Sequence, residues 1–168
     1  MCGDTNRPTF GGTIAVLFPR ENRLLSNSGS LSSSPDSVVS STSSASTLSS
    51  YSLFFRNAET TDRKTKGIFQ TDSEETFDSL RGCGHVDMRI EKYGDLSTST
   101  PNTPPLHQFQ IDLSRSQSMK PGHRQTEMEF ELPERLDLGV SEKGVVGRQV
   151  TMRDPAGTVL GVGIVGYN

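Results

Sequence analysis

The residues with chemistry to offer are few, and their spacing matches no established site. Cys83, Gly84 and His85 stand together, with His107 and His123 further along. Thiolates and imidazoles are zinc ligands, but structural zinc sites repeat them in paired short spacings, and this region holds one thiol. A Cys/His nucleophile would need an oriented base and an oxyanion site, which this pattern does not specify. The expectation is therefore no metal, no cofactor and no catalytic residue. Glu127, Glu129, Glu131 and Glu134 form a closely spaced row of carboxylates. The first three share one side of an extended strand, opposite Met128, Phe130 and Leu132, which is the pattern of a solvated outer face. Such a row could draw in a basic partner. It does not resemble a glycosidase pair, which must flank a bound sugar. Neither GxGxxG nor GxxxxGK[ST] occurs between a strand and a helix, so no phosphate-cradling loop is expected.

Hydroxyls offer more. Ser34, Thr100 and Thr103 each precede proline, and Ser26 lies three residues after Arg23. Ser73 precedes Glu74 and Glu75, as acid-directed kinases prefer, and the same acids suit the first turn of a helix. Arg115-Ser116-Gln117-Ser118 resembles a phosphoserine motif read by 14-3-3 proteins, with Pro121 one place later than in the usual pattern. Ser26, Ser34, Ser73, Thr100, Thr103 and Ser118 are thus candidate phosphorylation sites. Each phosphate would add about −1.5 to −2 charges.

Global composition narrows the class. The chain has 168 residues, only 31% of them hydrophobic, with 16 glycines and a net charge of −3. That suits one folded module plus disordered sequence, and it offers no basic field for nucleic acid. Cys2 and Cys83 cannot make a disulfide framework. No apolar run is long enough to span a bilayer, and no signal peptide opens the chain, so an intracellular protein, cytoplasmic or nuclear, is expected. A Ser-rich start poor in acids leaves organelle targeting as an alternative.

The elements that must position these residues are mostly strands. Val86, Met88 and Ile90 alternate with polar residues, as do Phe109, Ile111 and Leu113, and again Met128, Phe130 and Leu132. Gly144 to Asn168 reads as a hairpin turning at Asp154-Pro155-Ala156-Gly157, where Asp, Pro and Gly suit a type I turn. Val146, Val150 and Met152 would share its first apolar side, and Leu160, Val162 and Ile164 its second. The last strand is uncharged and Gly-rich, so it should be central in the sheet or covered by a second subunit. The interface reading rests on Val159, Gly161, Gly163, Val165 and Tyr167. Gly11 to Phe18 reads as a further strand, Tyr51 to Phe55 as a strand or docking motif, and Ser73 to Leu80 as a short helix.

The expected fold is mainly β with a large disordered segment: a small antiparallel sandwich or open barrel ending in a C-terminal hairpin. The expected organisation is an N-terminal segment (1–25), a Ser-rich and charged linker (26–80) and an all-β module (81–168). At the level of architecture alone, a Ser/Thr-rich segment joined to one siteless β-module resembles small virus-encoded matrix, movement or accessory proteins. The expected function is a non-enzymatic interaction or assembly protein, binding protein partners or itself and modulated by phosphorylation, with a phosphoserine-reading protein among the candidates. The alternative is a small-ligand-binding or enzymatic β-barrel.

Overall fold

Alternation of buried and exposed side chains builds one sheet from strands spread over most of the chain. The computed structural model describes residues 12–19, 48–58, 64–97, 103–114 and 126–168. Its strands are β1 (Thr13–Leu17), β2 (Tyr51–Asn57), β3 (Thr65–Thr71), β4 (His85–Ile90), β5 (His107–Asp112), β6 (Thr126–Glu131), β7 (Gln149–Arg153) and β8 (Val159–Tyr167), with one helix, α1 (Glu74–Gly82). The sheet order is β5-β4-β7-β8-β1-β2-β3-β6, and every pairing is antiparallel. The sheet curls until it is nearly a closed barrel, and β5 and β6 are its two ends. Ser26, Ser34, Thr100, Ser118 and the Ser-rich stretch 26–47 lie outside the described residues.

The interior is filled by side chains. Ala15, Leu17, Leu53, Phe55, Phe69, Met88, Phe109, Met128, Phe130 and Val150 belong to one buried cluster. The three alternating runs read from the sequence all point inward: Val86, Met88, Ile90; Phe109, Ile111, Leu113; Met128, Phe130, Leu132. Helix α1 carries the chain from β3, next to one sheet end, to β4, next to the other. Ser73 caps it, its hydroxyl accepting from the Thr76 backbone N–H at 3.2 Å. Phe77 and Leu80 are its buried pair. Gly84, at φ 71°, lets the chain leave the helix and enter β4.

Two expectations change. The boundary at residue 81 falls inside the sheet, because β2 and β3 come from the segment read as linker. In β3 the inward residues are Thr65, Gly67, Phe69 and Thr71, alternating with Lys66, Ile68 and Gln70. Period two is present but carries little hydrophobic contrast, so it does not register as a strand pattern.

The C-terminal hairpin turns where expected. The Gly157 N–H donates to the Asp154 carbonyl at 2.9 Å, the Thr158 N–H donates to Asp154 Oδ1 at 2.7 Å, and Gly157 has φ 89°. Its first strand faces as the sequence suggests, and in β8 the inner face is the reverse of the suggested one. Val150 and Met152 point inward, and their cross-strand partners are Gly163 and Gly161. Val162 and Ile164 stand opposite Thr151 and Gln149 on the other face. A bulge at Met152/Arg153 places Leu160 back in the core. Val146 precedes the strand altogether, in a loop that bends at Gly147 with φ 82°.

Candidate functional site

The place where this sheet departs from a closed barrel is its seam, between the outer edges of β5 and β6. Among the described residues, these strands pair only with β4 and β3 respectively. A side-chain contact crosses the seam.

The anchor on one side is Thr65, fully buried at the start of β3. Its hydroxyl donates to Asn57 Oδ1 at 2.5 Å and accepts the Leu136 N–H at 2.8 Å, while Asn57 Nδ2 donates to the Leu136 carbonyl at 2.9 Å. Its backbone accepts from the Leu132 N–H at 2.9 Å and donates to the Glu134 carbonyl at 3.3 Å. These bonds fix the segment that follows β6 against the β2–β3 hairpin. They place Glu134 at the seam, where its Oε1 lies 2.7 Å from His107 Nδ1 at the start of β5. The His107 ring stacks on Phe109, with centroids 5.8 Å apart. Its Nε2 is buried with no hydrogen-bond partner among the described residues. One contact thus joins the two ends of the sheet.

The carboxylate row lies on the β6 side of this seam. Glu127, Glu129 and Glu131 are exposed on the outer face, as the alternation predicts. Each has a partner on β3 or just before it. Gln70 Nε2 donates to Glu127 at 3.1 Å, Lys66 Nζ lies 2.6 Å from Glu129, and Lys64 Nζ lies 3.7 Å from Glu131. These pairs lie in solvent and each is worth little, about 0–1 kcal/mol. The row ornaments a sheet edge and does not converge on a cleft.

The remaining candidates are dispersed. Cys83 sits at the C-terminal end of α1, its thiol donating to the Ser79 carbonyl at 3.2 Å. Burial and then the Asp154 charge push its pKa upward, which keeps the thiol protonated and poorly nucleophilic. His85 and His107 pair with opposite ends of the β4–β5 ladder, and His123 lies outside the described residues. Among the described residues no group of three or more His, Cys, Asp or Glu side chains is arranged to hold a metal. Thr103 is exposed, and Ser73 is committed to its helix cap.

Strand β8 lies between β7 and β1, so both its edges are occupied within the chain. Gly161, Gly163 and Val165 are buried. A Cβ on Gly163 would lie 2.2 Å from the Val16 carbonyl oxygen, and one on Gly161 would lie 2.7 Å from the Tyr51 hydroxyl. The small residues do admit a close backbone, and that backbone is β1 of the same chain. Val159 and Tyr167 lie at the two ends of the strand, with Tyr167 exposed. The surface read from β8 is therefore covered, and the edges left unpaired among the described residues belong to β5 and β6.

An open cleft of about 170 Å³ is lined by Val16, Ser50, Tyr51, Ser52, Gln70, Thr71 and Asp72. It is polar and smaller than the ~300 Å³ at which small-molecule sites begin. No described helix is long and apolar enough to cross a membrane.

Sequence reasoning missed Thr65, Asn57, Arg148 and the meeting of His107 with Glu134. Glu134 was visible as part of the acidic row, but a pairing across 27 residues has no local signature. No protein-family model matches this chain, and no curated protein is detectably similar to it.

Proposed function

We propose that this chain is a non-enzymatic interaction protein whose β-barrel presents its outside, and not its interior, to other proteins. The observation that carries this reading is the packed interior. The space a ligand-binding barrel would leave open is occupied by Phe55, Phe69, Phe109, Phe130 and their neighbours, all at or below 8% exposure. The outside meanwhile presents two strand edges and exposed apolar side chains at Phe18, Tyr93, Val140 and Tyr167.

Modulation by phosphorylation belongs to the same proposal, at Ser26, Ser34, Ser73, Thr100, Thr103 and Ser118. Ser73 is the site with a physical consequence on the described fold. A phosphate there would meet the N-terminus of α1, where backbone N–H groups favour it and Glu74 and Glu75 oppose it. An intracellular location and a virus-encoded matrix, movement or accessory role are the corresponding proposals for setting.

The test is in-cell cross-linking of the full chain followed by mass spectrometry, with phosphosite mapping on the same sample. Reproducible cross-links from the barrel surface to another polypeptide, or to a second copy, are expected. A chain that stays monomeric and uncross-linked at native abundance would refute the interaction reading. Absence of phosphate at all six hydroxyls would refute the modulation.

A further inference from the structure

We propose that the outer edge of β6, which no described residue pairs with, is a strand-addition site for an extended basic segment of another protein. This deepens the interaction reading above and rests on it.

The β3–β6 ladder fixes which backbone groups of β6 point outward. The Leu132 N–H donates to the Thr65 carbonyl at 2.9 Å, and the β3–β6 register continues from that pair through Gly67↔Phe130 and Phe69↔Met128. In an antiparallel ladder the hydrogen-bonded pairs recur every second residue. Phe130 and Met128 therefore turn their backbone groups toward β3, and Glu127, Glu129 and Glu131 turn theirs away. Each of these three offers one N–H and one C=O along an edge that no described residue pairs with. Unpaired edges of this kind are where extended peptides add.

The side chains choose the partner. An added strand would set alternate residues directly beside Glu127, Glu129 and Glu131 on the outer face, where opposite charges stabilise and like charges destabilise. The lysines that share this face, Lys64 and Lys66, stand on the far side of the carboxylates, toward β3. A newcomer at this edge lies in the seam, with the carboxylates on one side and β5 on the other. A second copy pairing β6 against β6 would bring two glutamate rows together, so this edge disfavours self-association. On the inner face, Met128 and Phe130 already lie in the core, at 1% and 8% exposure. The inward residues of the added strand must be small or β-branched. The fitting ligand is a segment of alternating Lys or Arg with small or β-branched residues, as long as β6.

The probe is a fluorescent peptide of about eight residues alternating lysine with threonine and valine, titrated against the full chain. A matched peptide carries N-methyl groups on the residues that face β6, and another carries glutamate in place of lysine. The expected result is saturable binding of the lysine peptide, with amide shifts at Glu127, Glu129 and Glu131. N-methylation should weaken binding by about tenfold or more, through loss of more than one backbone hydrogen bond. The glutamate peptide should not bind. The triple variant Glu127→Gln, Glu129→Gln, Glu131→Gln keeps the shape of the edge and should weaken binding several-fold. No binding, equal binding of the N-methylated peptide, or amide shifts confined to other strands would each overturn the proposal. Those results leave the cross-linking readout untouched, so the site can fail while the interaction reading stands.

Discussion

His107 Nδ1 lies 2.7 Å from Glu134 Oε1, and the two residues belong to opposite ends of one curled sheet. The contact spans the seam, where no backbone ladder joins described residues. It brings together an imidazole with 19% of its side chain exposed and a carboxylate with 53% exposed. Glu134 reaches this point because Thr65 and Asn57 hold the segment behind it.

A double-mutant cycle on His107→Gln and Glu134→Gln should therefore return a small coupling, about 0.2–1 kcal/mol, since one partner is well solvated. The larger effect is local. Either single variant should speed amide exchange at the start of β5 and after β6, while leaving the centre of β8 protected. Urea denaturation supplies the coupling, and hydrogen exchange supplies the map. Equal exchange changes across all strands would show that the pair does not act at the seam.

Two glycines of one strand provide a matched test of how tightly β8 sits against β1. A Cβ at Gly163 would come within 2.2 Å of the Val16 carbonyl oxygen, which is backbone and cannot swing aside. At Gly166 the nearest atom is the Ile14 carbonyl oxygen at 3.9 Å, an ordinary contact. Gly163→Ala should cost about 1–3 kcal/mol through overpacking. Gly166→Ala should be nearly neutral, or slightly stabilising through the unfolded state. Thermal denaturation of the two variants decides it, and similar melting temperatures would contradict the close approach.

The loop before β7 has a built-in acid sensitivity at Asp137. Its carboxylate accepts from the Ser141 hydroxyl and from the Gly139 N–H at 2.9 Å. Those bonds, the Ser141 bond foremost, hold its pKa below the usual aspartate range. A carboxyl depressed in the folded state contributes stability above its unfolded pKa, near 3.9, and loses it as pH falls through the folded value. The loop should therefore stay closed through mild acid and loosen only below that range. In Ser141→Ala, the Asp137 carboxyl should titrate at a higher pH, moving back toward the ordinary value. A carbon-detected NMR titration reads this directly, and an unchanged midpoint would show that the serine is not the cause.

Much of the barrel is legible in the sequence because six of its strands carry apolar residues on the inner face at period two. Thr13, Ala15 and Leu17 in β1 fit the run read at Gly11 to Phe18, and Tyr51, Leu53 and Phe55 fit the aromatic cluster. The same logic hides β3, where threonine and glycine occupy inward positions and Phe69 is the only large one. It misleads in β8, where the inward side is the glycine side because Leu17 and Tyr51 already fill that space. The seam is less legible still. Which strands end a sheet is decided by pairings between distant segments, and nothing near His107 or Glu134 announces their meeting. The glutamate row was readable as a solvated face. That it borders an open edge follows only from the sheet order.

Arg148 gathers four backbone carbonyls on one side chain, and nothing in its sequence neighbourhood marks it. Its Nε donates to the Gly144 carbonyl at 2.5 Å, and its terminal nitrogens donate to the carbonyls of Lys92, of Glu142 at 2.5 Å and of Ser141 at 3.4 Å. One planar guanidinium thus clamps the loop after β4 to the loop before β7. The nearby backbone is close-packed as well, since a Cβ on Gly94 would lie 2.1 Å from the Gly147 carbonyl oxygen. Lysine carries the same charge but cannot present donors in this fork. Arg148→Lys should therefore recover little of what Arg148→Ala loses, about 2 kcal/mol in each case if two or more charge-assisted bonds go unmade. Amide exchange should rise in 91–97 and 137–147 together, since one guanidinium bridges both loops. Full rescue by lysine would mean that charge, and not the fork, holds the two loops.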